Sequence, residues 1–125
     1  MDRANVVVLE QDAGFRFALA AWLDTEPSLH LVATASSGHD ALRALAAVDA
    51  VDVFIMDLDV TDIDGADVAR QARHLIPHLR ILVLTGHDAD AAASRLQGVQ
   101  VNARIPKGRS PMELMERVRA LVNTA

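Results

Sequence analysis

The sequence predicts an α/β domain in which five short parallel strands form one doubly wound sheet and alternate with five helices. Three observations predict it. Five runs rich in β-branched residues alternate with Ala-, Leu- and Arg-rich segments of helical spacing. The alternation recurs roughly once per 25 residues, the length of a strand–helix unit. Three of the runs, Val6–Leu9, Val53–Met56 and Ile81–Leu84, are apolar throughout, as strands covered on both faces must be.

The elements follow in order. The first strand, Val6–Leu9, leads into a helix whose stripe is Phe15, Leu19, Trp22 and Leu23, and Pro27 lies beyond its end. The second run, Leu29–Ala33, is more mixed because of His30 and the following Thr34, and reads as an edge strand. Ser36-Ser37-Gly38 opens the second helix. After the third strand, Val53–Met56, Gly65 precedes the third helix and Pro77 closes it. The fourth strand is Ile81–Leu84, and the fifth lies within Val101–Ile105. Ser110-Pro111-Met112-Glu113 reads as a capping box opening the last helix, Pro111 to about Asn123. Met112, Met115, Val118 and Leu121 or Val122 mark its apolar stripe. No linker or low-complexity tract interrupts the pattern, so residues 1–125 read as a single domain.

Composition narrows the function. The chain has 125 residues, enough for one core, and 51% hydrophobic content excludes a disordered chain. The longest apolar stretch, Phe17 to Leu23, falls far short of the roughly 20 residues that cross a bilayer. With no Cys there is neither a disulfide framework nor a thiolate metal site, and the expected location is the cytoplasm. A net charge of −5 without a basic cluster argues against nucleic-acid binding by this domain itself.

The polar residues sit where such a sheet places its ligands, beyond the carboxyl ends of the strands. The first strand ends in Glu10-Gln11-Asp12, the third in Asp57-Leu58-Asp59, the fourth in Thr85-Gly86 and the fifth in Pro106-Lys107. Carboxylates for a hard cation, a hydroxyl, a glycine admitting close backbone approach and a lysine make a phosphoryl-handling set.

In these residues the sequence resembles the receiver domain of two-component response regulators over essentially its whole length. The strongest match is Val53-Phe54-Ile55-Met56-Asp57-Leu58-Asp59 followed by Asp64-Gly65. The acidic cluster after the first strand with Arg16, Leu84-Thr85-Gly86, and Lys107 followed by Ser110-Pro111-Met112-Glu113-Leu114 add to it. The resemblance implies a flavodoxin-like (βα)5 sheet in the strand order 2-1-3-4-5. It implies that Asp57 accepts a phosphoryl group from a sensor histidine kinase, a phosphotransfer protein or a small donor, with Thr85 and Lys107 assisting. It implies Mg²⁺ held by Glu10, Gln11, Asp57 and the backbone carbonyl of Asp59. Asp12, Gly86, His87 and Arg104 are the modulating positions, Asp59 and His87 tuning phosphoryl lifetime. A homodimer through the face of the fourth helix, fifth strand and fifth helix, with Arg95, Arg104, Arg117 and Arg119 on it, is the further implication.

Two departures bear on that function. Gln11 stands where the family usually has a metal-binding acid, a loss of about 1–3 kcal/mol by comparison with a charged hydrogen bond. That lowers Mg²⁺ affinity roughly tenfold to a hundredfold. Arg104 stands where the family usually has an aromatic switch residue, and a guanidinium does not enter an apolar slot without a partner. These departures give a second reading, a receiver-like interaction module independent of phosphate. A third reading is a haloacid-dehalogenase-like phosphatase with Asp57 as nucleophile and Asp59 as acid/base. Two strand–helix units before Asp57, and only Glu113 and Glu116 after Lys107, argue against it.

Overall fold

The computed structural model describes residues 3–86 and 88–123. Its elements are β1 (Ala4–Leu9), α1 (Ala13–Asp24), β2 (Leu29–Ala35), α2 (Gly38–Ala47), β3 (Val53–Asp57), α3 (Gly65–Leu75), β4 (Arg80–Thr85), α4 (Ala89–Arg95), β5 (Ala103–Pro106) and α5 (Pro111–Asn123). The strands form one sheet in the order β2-β1-β3-β4-β5, every neighbouring pair parallel. This is the predicted α/β class and strand order, and β2 lies at an edge as its mixed composition requires.

Alternation along the strands divides the core in two. Val6, Val8, Ile55, Leu82 and Leu84 face Leu19 and Leu23 of α1 and Leu114 and Val118 of α5. Val7, Leu9, Phe54, Met56 and Val83 face Leu45 of α2, Val68 and Ala72 of α3 and Ala92 of α4. No helix among the described residues is long and apolar enough to cross a membrane.

Boundaries differ from the sequence reading where side chains intervene. Gly65 does not precede α3 but is its first residue, because Asp64 takes the N-cap and accepts the Ala66 N–H at 3.3 Å. β5 starts at Ala103 rather than Val101. Ahead of it the Asn102 N–H donates to the Ile81 carbonyl while its side chain accepts the Ile81 N–H, each at 2.8 Å, so a side-chain oxygen stands in for one backbone acceptor. Arg73 of α3 clamps the same corner, donating to the carbonyls of Pro77, Leu79 and Gln100 and to Asn102 Oδ1. At α5, Ser110 caps as expected, its Oγ accepting the Glu113 N–H at 3.2 Å, while the Glu113 carboxylate reaches Arg109. Met112, expected on the buried stripe, is 72% exposed. It sits in the first turn, ahead of Leu114, Met115 and Val118, which pack on the sheet.

Gly65 closes the β3–α3 connection by close approach. A Cβ there would stand 2.1 Å from the carbonyl oxygen of Leu58. The obstacle is backbone, so nothing cheap can yield. We expect Gly65→Ala to lower stability by about 3 kcal/mol or more, read as a reduced urea midpoint.

A second contact ties the α1–β2 connection to α5: Arg119 donates to Glu26 Oε2 at 2.9 Å. The hydrogen bonds from Arg119 and Ser28 hold the Glu26 carboxyl below its usual 4.5. A lowered carboxyl pKa contributes stability above its unfolded value and loses it as pH falls through the folded one. Glu26→Gln is therefore expected to be less stable than wild type at neutral pH, with the two urea curves converging as the solution is acidified below pH 4.5.

Candidate functional site

All strands being parallel, their carboxyl ends share one edge of the sheet, and the residues following β1, β3, β4 and β5 meet there. Asp57 is the last residue of β3 and is 2% exposed. Leu9 pairs with Met56, so Glu10, one step beyond, comes level with Asp57. Glu10 is fully buried. Lys107, one residue past β5, places Nζ 2.8 Å from Glu10 Oε1 and 3.2 Å from Asp57 Oδ1. Its own N–H donates to the Thr85 carbonyl at 2.9 Å, which fixes the chain from which the ammonium reaches inward. Thr85 itself is buried.

Two buried carboxylates beside each other repel, and one ammonium holds them. Burial pushes the Glu10 carboxyl above its usual value, against the downward pull of Lys107 and of the Asp12 N–H; Asp57 adds to the rise. For Lys107 burial opposes the charge, yet Glu10 and Asp57 outweigh it and raise its pKa. The Phe15 ring, 5.7 Å from Nζ, adds a cation–π contact on a third side. Glu10 Oε2 accepts the Asp12 N–H at 2.9 Å, while the buried Oε1 faces the Lys107 ammonium.

The segment after Asp57 is tied from three directions. Gln11 Oε1 accepts both the Thr61 N–H at 2.9 Å and the Thr61 hydroxyl at 3.0 Å. Asp62 accepts the N–H groups of Gly38 and His39 at the start of α2, which hold its carboxyl below the usual range. Arg95 of α4 donates to Asp59 Oδ1, the Leu58 carbonyl and Asp64 Oδ1.

The structure thus brings together Glu10, Asp57, Thr85 and Lys107 from the expected set. It adds contacts that the sequence did not show. Gln11 is at the site, but its amide oxygen is spent on Thr61 rather than aimed at Asp57. Asp12 is the N-cap of α1, its Oδ2 accepting the Phe15 N–H at 2.8 Å. Arg95 and Arg119 are not free on the α4–β5–α5 face, since one turns to the β3–α3 connection and the other to Glu26. Asp59 donates its N–H to Asp57 Oδ1 at 2.9 Å, and Gly86 lies exposed beside it. Arg104 is exposed on β5, and His87 lies outside the described residues. Sequence reasoning missed Thr61 and the contacts of Arg95 and Phe15 with this region. Phe15 stood out only as part of an apolar stripe, and nothing local signalled the other two.

Comparison with known proteins agrees with this geometry. The family model for the response regulator receiver domain matches residues 6–119. The response regulator protein VraR of Staphylococcus saprophyticus is 25% identical over 119 residues, 95% of this chain and 56% of that protein. The response regulator UvrY of Escherichia coli is 25% identical over 117 residues, 94% of this chain and 53% of its own length. The chain therefore spans about half the length of these relatives. Among solved structures, the REC domain of AraT from Geobacillus stearothermophilus superposes with a TM-score of 0.82 at 29% identity, covering 94% of this chain and 92% of that one. The isolated REC domain of RcsB from Salmonella enterica serovar Typhimurium, in the presence of phosphomimetic BeF3−, gives 0.86 at 22% identity, with 97% and 89% covered. The chain belongs to the response regulator receiver domain family. Domains of this family are in general signalling rather than enzymatic, interact with histidine kinases and phosphotransfer proteins, and typically bind Mg²⁺ at the phosphorylation site. None of these matches supports a phosphatase or a phosphate-independent module.

The donor set fits a dication in reduced form. Glu10 and Asp57, two buried carboxylates side by side, are the residues that would hold Mg²⁺, and hard oxygen ligands suit it. No group of three or more acidic, His or Cys side chains suited to a metal occurs among the described residues. Gln11→Asp is expected to raise Mg²⁺ affinity roughly tenfold to a hundredfold in a metal titration, the 1–3 kcal/mol of a restored charged contact. Equal affinity in both proteins would remove the assignment of Gln11 as the weak point.

Proposed function

We propose that the domain accepts a phosphoryl group on Asp57 and changes its outer surface in response. The observation that carries this reading is the pairing of buried Asp57 with Lys107 at 3.2 Å, at the end of a central strand. An oxygen of Asp57 attacks phosphorus. The bond from phosphorus to the imidazole nitrogen of a phosphohistidine, or to the acetate oxygen of acetyl phosphate, breaks as the acyl phosphate forms. The leaving group keeps the bonding pair. Charge gathers on the equatorial phosphoryl oxygens during transfer, so the site must present positive charge there without rearranging.

Lys107 supplies one charge from a position already fixed by the Thr85 carbonyl. Thr85 is placed to hydrogen-bond a phosphoryl oxygen, and Gly86 admits a backbone N–H to another. The Asp59 N–H orients Asp57 through Oδ1. Mg²⁺, when bound, supplies further neutralisation of the phosphoryl oxygens. The donor is a sensor histidine kinase or phosphotransfer protein in the cytoplasm, and residues 1–125 act as one receiver unit. A homodimer through α4–β5–α5 would present Arg104 and Arg117, the two arginines of that face not drawn inward.

Incubation with acetyl phosphate and Mg²⁺ should add one phosphoryl mass to the wild type by intact mass spectrometry and none to Asp57→Asn. Lys107→Met should slow uptake by roughly 10²-fold or more, the usual effect of removing a positioned charge from a transition state. Undiminished labelling of Asp57→Asn would show that the phosphoacceptor lies elsewhere.

A further inference from the structure

Arg95 does not touch Asp57, yet it holds the segment that orients it. From the last residue of α4, Nη1 donates to Asp59 Oδ1 at 2.8 Å, while Nη2 donates to the Leu58 carbonyl at 3.0 Å and Asp64 Oδ1 at 3.3 Å. Asp59 donates its own N–H to Asp57 Oδ1 at 2.9 Å. An unbroken path therefore runs from the carboxylate through residue 59 and the guanidinium to α4. The other oxygen of Asp59, Oδ2, lies 3.4 Å from where a Cβ would stand on Gly86. Its side chain thus spans the gap between the ends of β3 and β4.

α4 has little else to hold it. Of its seven residues only Ala92 is buried, with Leu96 following at the cap. An open pocket of about 180 Å³ is lined by Leu58, Asp59 and Gly86 on one side and by Ala91, Ala92 and Arg95 of α4 on the other. Arg95 is the polar anchor across that gap. Partial burial opposes its charge, but the hydrogen bonds it donates to Asp59 and Asp64 outweigh this and raise its pKa. Residue 104, on β5, is an exposed arginine with no aromatic ring to turn inward.

We propose that Arg95 carries the phosphorylation state of Asp57 to α4: a phosphoryl group loosens the Asp59–Arg95 bridge and frees the helix. This inference rests on Asp57 being the phosphoacceptor. Two effects act on successive contacts of this path. An acyl phosphate brings roughly two negative charges beside Asp59, and these compete for a guanidinium held by charge-assisted hydrogen bonds. Asp57 also gives up its carboxylate charge when it is esterified, which weakens the bond it accepts from the Asp59 N–H. Both disfavour the bridged arrangement, and such a differential interaction between two states is what a switch requires.

The test is backbone-amide NMR of the whole chain with and without beryllofluoride and Mg²⁺, for wild type, Arg95→Gln, Asp59→Asn and the double variant. In wild type the amides at residues 57–59 and 107 and those of Ala91–Ala93 should shift together. In Arg95→Gln the site amides should still respond. The α4 amides should already stand displaced toward their beryllofluoride positions, and their further response should fall several-fold. Asp59→Asn should behave similarly on α4, and the double variant should add nothing to either. A full α4 response surviving in both single variants, with the site responding, overturns this inference alone. Site amides that fail to move in the wild type overturn the phosphoacceptor reading, and this inference with it.

Discussion

Two buried carboxylates cannot stand side by side at the end of a sheet without a cation between them, and in this protein the cation is Lys107. Glu10 follows β1 and Asp57 ends β3, adjacent strands, whereas Lys107 arrives from beyond β5, two strands further across. The ammonium therefore ties the end of β5 to the ends of β1 and β3, neither of which pairs with it. Its neighbours serve that placement. The Thr85 carbonyl fixes its main chain, Phe15 offers a ring face, and Arg16 donates to the carbonyls of Glu10 and Gln11, holding the turn that presents Glu10. The same constraint that makes the fold costly at this edge leaves positive charge beside Asp57.

The segment from Asp57 to Gly65 is the second consequence. It begins at a buried carboxylate and ends at a helix start, and Gly65 lies so close to Leu58 that the two ends nearly touch. A loop drawn this tight has few shapes open to it, and three side chains select among them. Gln11 holds it toward α1, Asp62 toward α2 and Arg95 toward α4. Gln11 here exchanges one task for another: an amide cannot supply the charge of a carboxylate, but its oxygen accepts two hydrogen bonds from Thr61. The departure from the usual acidic pair is thus joined to a loop contact rather than left as a gap.

The α4–β5–α5 face looks different once side chains are followed. Four arginines lie on its elements, but Arg95 and Arg119 are bound to acids elsewhere in the domain, so the charge offered outward is that of Arg104 and Arg117. The inward turn of Arg95 matters most, since it joins α4 to the residue next but one to Asp57.

How much of this was legible in the sequence depends on the range of the interaction. Periodicity is local, so five strands and five helices could be read from runs such as Val53–Met56, and the cap at Ser110 from four consecutive residues. Edge and centre followed from how apolar each run is, and parallel strands bring their carboxyl ends to one side whatever the details. Asp57, Thr85 and Lys107 were therefore identifiable from position alone. The sequence could not say that Gln11 would face Thr61, fifty residues away, or that Arg95 would turn inward rather than out. Nor could it separate Met112 from its buried neighbours on one stripe. Those choices rest on which donor and acceptor, distant along the chain, come within about 3 Å of one another. Only the packed structure decides that, because the geometry of a loop is set by everything it touches.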